Sequence, residues 1–427
     1  WLEAEGFYDG EGVYKIRFMP DQEGLWHYET MSGCPALDGV SGSFECVEPA
    51  PGNHGPVRVK DALSFVYEDG TSYRPFGTTC YVWTHQEEEL QRQTLASLAQ
   101  SPFNKIRMCV FPKRYSFNLN DPEHYPFAGS REEGFDWERF NPTYFASLEA
   151  RILDLQKLGI EADLILFHPY DGGHWGFDRM PAETDDRYLR YTIARLGAYW
   201  NMLLSVAGPE PLLRHNPFMV KEEVGRLGRL IQRFNVSDHL LSVHNQTGDD
   251  DYPHETYVSY VTLQGPKTID RAHLSERLLA NHRRDMPLDS QETLWPGNIC
   301  NHPAYTDDDI RKNGFVILMS ASALNFADHD GDSSSGFSGS LRLEDRIQSR
   351  HDAVKRVWDF FEGIPFYRMN PRQDLVDNGY CLAEPGRQYL VYLEEGGNVN
   401  IRTEEGPAYR VEWINARNTQ ERIQAGT

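Results

Sequence analysis

The chain has 427 residues, 40% of them hydrophobic and 12% aromatic, with 64 acidic against 42 basic residues and a net charge of −22. That length exceeds one ordinary domain, and the apolar content supplies a large core and excludes a disordered chain. No apolar run reaches the ~18 residues that a membrane span requires, and the acidic balance repels phosphate backbones, which counts against nucleic acid but not against a neutral partner such as a sugar.

In chain order, the first residues, WLEAEGFYDG, lack the basic and apolar regions of a secretory signal. Residues 1–55 then read as short alternating strands, GVYKIRFMP, GLWHYET and GSFECVEP, with Gly, Pro and Asp between them. This is the pattern of a β-sandwich, though short of strands for a complete one. The segment PAPGNHGP, Pro49 to Pro56, reads as a linker.

Between residues 56 and 363 apolar strand-like runs alternate with helical periods. YRPFGTTCYVW precedes EEELQRQTLASLAQ, NKIRMCVF precedes YFASLEARILDLQKLG, and EADLILFH precedes a helical stretch ending at Ala198. WNMLLSVA, EEVGRLGRLIQRF, HLLSVHN, YVSYVTLQ, HLSERLLANHRR, MPLDSQET and GFVILMSASALNFADHD complete the series, the last read whole as an eighth strand. Strands that are apolar throughout, separated by amphipathic helices, indicate a parallel sheet covered on both faces. Eight of them make a (β/α)8 TIM barrel the leading α/β architecture. A doubly wound sheet is the alternative, but no GxGxxG follows the first strand. Residues 364–427 return to strands, YCLAE, QYLVYLE, VNIRT and YRVEWIN, as a small C-terminal β-sandwich.

Six cysteines, Cys34, Cys46, Cys80, Cys109, Cys300 and Cys381, form no CxxC pair, which disfavours structural zinc. Cys34 and Cys46 share one small unit where a disulfide can form, and buried free thiols are the ordinary reading for the others.

In such a barrel chemistry sits where strands end. Trp83, Thr84 and His85 follow the first strand and Arg107 lies in the second. His168, Pro169 and Tyr170, then His174 and Trp175, follow the third, and Glu210 follows the fourth. His244 and Asn245 end the fifth strand, Tyr260 and Gln264 belong to the sixth, and Glu292 ends the seventh with Trp295 beyond it. Asp328, His329 and Asp330 follow the eighth. Aromatic rings mixed with hydrogen-bonding groups suit a polyol. Each residue also has a plainer reading: His168 and His244 as satisfied core histidines, Arg107 as the partner of a barrel carboxylate, Trp83 and Trp295 as core aromatics. DHDGD, Asp328 to Asp332, lacks the glycine and glutamate of a calcium loop, and GFSGS lacks the spacing of a nucleophile elbow. No metal or other cofactor is expected. Glu210 and Glu292 gain weight as a pair, because glycoside hydrolysis needs two carboxyls and the fourth and seventh strands end on opposite sides of the barrel mouth.

GFYDGEGVYKIRFMPDQEGLWHYET with GSFECVEPAPGNHGPVRV resembles the N-terminal immunoglobulin-like domain that precedes certain bacterial glycoside hydrolases. YRPFGTTCYVWTHQ, LLSVHN and FFEGIPFYRMNPRQDLV resemble parts of their apiosidase-like barrel. YCLAEPGRQYLVYLEEGGNVNIR is similar to the β-sandwich called collagen-binding in that group. The resemblance implies an extracytoplasmic bacterial hydrolase of plant or algal polysaccharide or oligosaccharide. Glu292 in DSQETLW would be its nucleophile and the glutamate after the fourth strand its acid/base. Here AGPE sets Pro209 between Gly208 and Glu210, a departure that leaves Glu210 as the acid/base and His168, His244 or Asp328 as alternatives. Trp83, His85, Arg107, His168, Tyr170, His244, Asn245, Trp295 and His329 would line the sugar subsite. A non-catalytic carbohydrate-binding barrel and a polysaccharide lyase are the rival expectations.

Overall fold

The structure, a computed structural model, describes residues 1–168, 172–208, 219–245, 249–283, 285–294, 304–327, 336, 339–342, 345–404 and 408–426. Its centre is one eight-stranded parallel sheet. We number its strands β1 (Phe76–Thr79), β2 (Lys105–Cys109), β3 (Glu161–Phe167), β4 (Met202–Ala207), β5 (Leu241–Ser242), β6 (Val261–Leu263), β7 (Leu288–Leu294) and β8 (Ser322–Phe326). Among the described residues successive strands pair except β5 with β6, and β8 returns to pair with β1 through Leu324↔Phe76 and Phe326↔Thr78. Between β5 and β6 the seam is bridged by Ser259 N to Leu241 O (2.8 Å) and Asn245 Nδ2 to Thr262 O (2.8 Å).

Helices α1 (Glu88–Leu98), α2 (Pro142–Lys157), α3 (Ala182–Leu196), α4 (Lys221–Phe234), α5 (Arg271–Ala280), α6 (Asp307–Met319) and α7 (Asp345–Glu362) follow every strand except β5 among the described residues. Local chemistry sets their starts. The Asn141 side chain caps α2 ahead of Pro142, and Thr306 and Asp309 form a reciprocal capping box on α6. Strand alternation then sorts the core. Ile106, Met108, Leu164, Leu166, Leu204 and Val206 face the helices, whereas Cys109, Ile165, Tyr81 and Ala327 pack together inside the barrel.

Two differences from the sequence reading have clear causes. Gly314 to Met319, read as part of the eighth strand, is the end of α6; only Ser322–Phe326 is strand. Helix α6 is buried on both sides, against the barrel and against Tyr392, whose ring stacks on Phe315 at 4.7 Å, so it lacks the polar stripe that marks a surface helix. VNIRT, read as a strand, contributes only an isolated bridge from Ile401 to Val376, and Val411–Ile414 pairs instead with Arg422–Gly426.

A three-stranded antiparallel hairpin, Val57–Asp61, Ser64–Tyr67 and Ser72–Tyr73, closes the amino end of the barrel. Its Val57, Phe65 and Tyr73 cluster with Leu203, Leu240 and Tyr260, and Tyr67 donates to Glu161 Oε1 at the foot of β3 (3.1 Å). At the N-terminus, Gly6–Tyr8 pairs with Tyr14–Ile16 and Gly24–Glu29 with Ser41–Cys46. Cys34 and Cys46 are free thiols, as are the buried Cys80, Cys109 and Cys381.

Candidate active site

Backbone pairing continues past the strand ends and gathers one tier of side chains at the carboxyl end of the barrel. Cys109 N bonds Tyr81 O (2.8 Å), Gly208 N bonds Phe167 O (2.8 Å), His244 N bonds Ala207 O (3.2 Å) and Ala327 N bonds Leu294 O (3.1 Å). A register shift in β7 between Ser290 and Leu294 carries Glu292 into this tier.

Glu292 is 2% exposed and surrounded by donors. The Tyr81 hydroxyl donates to its Oε1, the Gln264 amide donates to its Oε2 at 3.0 Å, and the Lys267 ammonium lies 3.5 Å from Oε2. Burial pushes the Glu292 carboxyl up to about 8. Hydrogen bonds to the carboxylate and the nearby ammonium act in the opposite sense, because they favour the charged form.

Arg107 is fully buried and meets four groups. Its Nε donates to Asp163 Oδ2 (3.1 Å), and its Nη1 lies 2.9 Å from His244 Nδ1 and 3.4 Å from the Tyr81 hydroxyl oxygen. Its guanidinium also stands 5.8 Å from the Tyr81 ring centre. The plainer expectation, that a carboxylate inside the barrel holds this arginine, is what Asp163 provides. Since a guanidinium can only donate, His244 Nδ1 must accept and its proton sits on Nε2. Burial, then the charges of Arg107 and Lys267, hold His244 well below the usual imidazole range.

His168 is held by a 2.9 Å hydrogen bond from Nε2 to Phe111 O, and burial lowers it to about 3. Both histidines are therefore neutral near pH 7. Lys113 stands 4.2 Å from the Tyr81 ring centre and 4.4 Å from that of Tyr115. Asn245 bonds the backbone of Thr262 and receives Asp251 N (2.9 Å), which makes it a brace between β5, β6 and the following loop.

Trp83 and His85 stand elsewhere. Trp83 is fully buried in the helix-side core and donates to Gln91 O in α1 (3.1 Å). His85 Nε2 contacts Val110 O (3.3 Å) and the Tyr144 hydroxyl of α2 (3.1 Å), and burial lowers its pKa to about 4. Glu210, Tyr170, Trp295 and His329 lie outside the described residues, as do Cys300 and Asp328. Tyr81 and Lys267 were not singled out from the sequence. Tyr81 sits in an apolar strand-like run, and Lys267 sits four residues beyond the last paired residue of β6, inside GPK.

The chain has counterparts among known proteins. The model of the apiosidase-like catalytic domain matches residues 60–324, more than half the chain. The chain belongs to the apiosidase-like family. A crystal structure of a glycoside hydrolase candidate from Bacteroides vulgatus is 32% identical to this apiosidase-like chain. The match covers 90% of this chain and 77% of that one, with a TM-score of 0.77. A second structure, named glycoside hydrolase, is 14% identical over 78% of this chain and 82% of that one, with a TM-score of 0.62. A family 5 glycoside hydrolase from Bacteroides vulgatus is 15% identical over 78% of this chain and 79% of that one, with a TM-score of 0.59. These two share the fold. Residues 2–33 match a domain of unknown function, DUF5060, and no curated protein matches the chain. The apiosidase-like chain is a glycoside hydrolase with a carbohydrate substrate, and no described helix is long and apolar enough to cross a membrane.

Proposed function

We propose that this glycoside hydrolase acts with retention of configuration on a plant or algal polysaccharide or its oligosaccharides, outside the cytoplasm. In this reading Glu292 is the nucleophile and Glu210 the acid/base. The carrying observation is the setting of Glu292: a buried carboxylate at the end of β7 whose two oxygens meet a tyrosine hydroxyl, an amide and an ammonium.

That setting suits a nucleophile. Donors on both oxygens hold the carboxylate plane fixed and favour the charged form that attacks, against the burial that raises its pKa to about 8. In the first step a carboxylate lone pair attacks the anomeric carbon, the glycosidic bond breaks, and the departing oxygen takes a proton from the acid. In the second step water, deprotonated by the same residue, attacks the glycosyl ester and releases Glu292. The neutral histidines support a carboxylic acid as the proton donor, because an imidazole lowered to about 3, as at His168, is not protonated to the acidic imidazolium near pH 7. Glu210, two residues beyond Gly208, is the carboxyl next along the chain from that point.

The test is release of reducing ends from a panel of plant and algal glycans by the wild type, Glu292→Gln and Glu210→Gln, with the anomer of the first product followed by NMR. Loss of turnover by several orders of magnitude in both variants, with the starting configuration kept, supports the assignment. Full activity in Glu292→Gln removes it as the nucleophile, and an inverted product removes the retaining mechanism.

A further inference from the structure

The barrel interior beneath Glu292 carries a continuous run of polar side chains where most barrels carry packed hydrocarbon. Lys105 is ion-paired with Asp289. Gln291 Nε2 donates to Asp289 Oδ2 (3.2 Å) and to Asp163 Oδ2 (3.1 Å). The same Asp163 oxygen accepts from Arg107 Nε, and Arg107 Nη1 reaches the Tyr81 oxygen and His244 Nδ1. Tyr81 closes the run on Glu292. Lys105, Arg107, Asp163 and Gln291 are fully buried, and Asp163 stands opposite Arg107 in the pairing of β2 with β3.

Two features separate this run from a merely structural ion pair. Removing ions from water costs several kcal/mol each, and a hydrophobic replacement is often no less stable, so stability alone gives weak reason for two cations and two carboxylates here. The run is also directional. One nitrogen of Arg107 serves both Tyr81 and His244, so the angle of the guanidinium plane decides where the Tyr81 hydroxyl points and which His244 nitrogen is protonated. Asp163, bonded to Nε on the other edge, sets that angle.

We propose that Asp163, which does not touch the reacting atoms, is a positioning residue for hydrolysis: through Arg107 it aims the Tyr81 hydroxyl at Glu292 and fixes His244 as the Nε2–H tautomer. The inference rests on Glu292 being the reacting carboxylate. The groups facing Asp163 are Arg107 and Lys105 from β2, Asp289 and Gln291 from β7, and Tyr260 ahead of β6. Those facing Glu292 are Tyr81, Gln264 and Lys267, with Arg107 one bond further away. Asparagine at position 163 keeps an acceptor for Arg107 but removes a negative charge and offers a competing donor. Loss of the charge favours ionisation of Glu292, whereas the loosened fork displaces the Tyr81 donor and opposes it.

The experiment uses the full chain labelled with 15N-histidine and 13C-glutamate, with the Glu292 carboxyl signal assigned by its absence in Glu292→Gln. The expected result for Asp163→Asn is a folded protein in which His244 loses its single Nε2–H signature and the Glu292 carboxyl signal shifts as its Tyr81 donor is displaced. On the glycan from the panel that wild type cleaves, kcat should fall at least tenfold with KM within threefold. Unchanged His244 and Glu292 signals in folded Asp163→Asn overturn the proposal, as does an unchanged kcat. Should Asp163→Asn fail to fold, Arg107→Lys applies the same test from the other side of the link, since lysine keeps the charge and loses the fork. Wild-type signals or turnover in Arg107→Lys overturn the proposal equally. Wild-type turnover in Glu292→Gln is a different failure, which removes the assignment of Glu292 whatever the spectra of Asp163→Asn show.

Discussion

Tyr81 and Glu292, 211 positions apart in sequence, meet at the carboxyl end of the barrel, where the tyrosine hydroxyl donates to Oε1 of the glutamate. The bond joins the end of the first strand to the seventh and gives the carboxylate one fixed face. A hydrogen bond to a charged group contributes about 1.5–3 kcal/mol. Tyr81→Phe removes the donor and keeps the ring that packs on Cys109 and Ile165. Turnover should fall about 10- to 100-fold, with Tm nearly unchanged. A Tm drop matching the activity loss would mean that the hydroxyl serves the fold rather than the carboxylate.

Glu292 also makes a prediction about stability that needs no substrate. Its folded pKa is raised from 4.5 to about 8, so the folded chain binds this proton more tightly than the unfolded chain. The contribution is fully present below about 4.5 and is lost as pH rises toward 8, at most about 1.4 kcal/mol per pH unit. Glu292→Gln keeps the shape without the charge. Calorimetry should therefore show the variant melting above wild type at pH 8, with the gap closing near pH 4. Parallel melting curves from pH 4 to 8 would show that the donors and the Lys267 ammonium cancel the effect of burial.

Gly208 ends β4 directly against two residues of the site. A Cβ at this position would meet His244 Cβ at 2.6 Å and its Cγ at 3.3 Å, and Arg107 Nη2 at 3.8 Å. Gly208→Ala should cost about 1–3 kcal/mol through overpacking and should displace His244 from Arg107. The expected outcome is a lower Tm together with a greater loss of kcat than Tyr81→Phe produces. A Tm within the error of wild type would show that the His244 ring yields without cost.

Much of this was legible in the sequence. Apolar runs such as EADLILFH and WNMLLSVA, flanked by amphipathic helices, specify a parallel barrel because both faces of each strand are covered. Glu292 was visible as a charged residue at the end of such a run. Of its partners Gln264 was visible at the end of the sixth strand, but Tyr81 and Lys267 were not. Tyr81 and Lys105 look like ordinary members of a strand, and only closure of the barrel brings Lys105 to Asp289 and Tyr81 to Glu292. Trp83 and His85 stand apart from this tier for a local reason. They follow β1 directly, but the 3-10 turn at Trp83–His85 sends both side chains outward against α1 and α2. The strands Phe127–Ser130 and Gly134–Phe140 escaped notice within the long loop after β2, because glycines and charges interrupt their alternation.

The last prediction concerns the N-terminal segment. Arg195 of α3 is 1% exposed and binds Glu149 of α2 through Nε (2.7 Å) and Nη2 (3.2 Å), while Nη2 also lies 2.7 Å from Asp9 Oδ1. Arg17 reaches the same glutamate at 2.5 Å and Arg195 O at 2.9 Å, with the buried Phe7 ring beneath both guanidinium groups. The hairpin Gly6–Ile16 is thus pinned to two barrel helices by a buried charge cluster. Removing one partner of such a cluster costs about 3–5 kcal/mol, because the remaining charges stay buried without compensation. Burial opposes ionisation of Asp9, but Lys15 and Arg195 outweigh it and hold the carboxyl below its usual 3.8. A depressed folded pKa gives stability that is present above 3.8 and lost as pH falls through the folded value. Arg195→Leu should therefore lower Tm near pH 7, release the hairpin to limited proteolysis while the barrel stays intact, and narrow its deficit against wild type near pH 3. Equal protection of Gly6–Ile16 in variant and wild type at neutral pH would show that Phe7 and its apolar neighbours alone hold the segment in place.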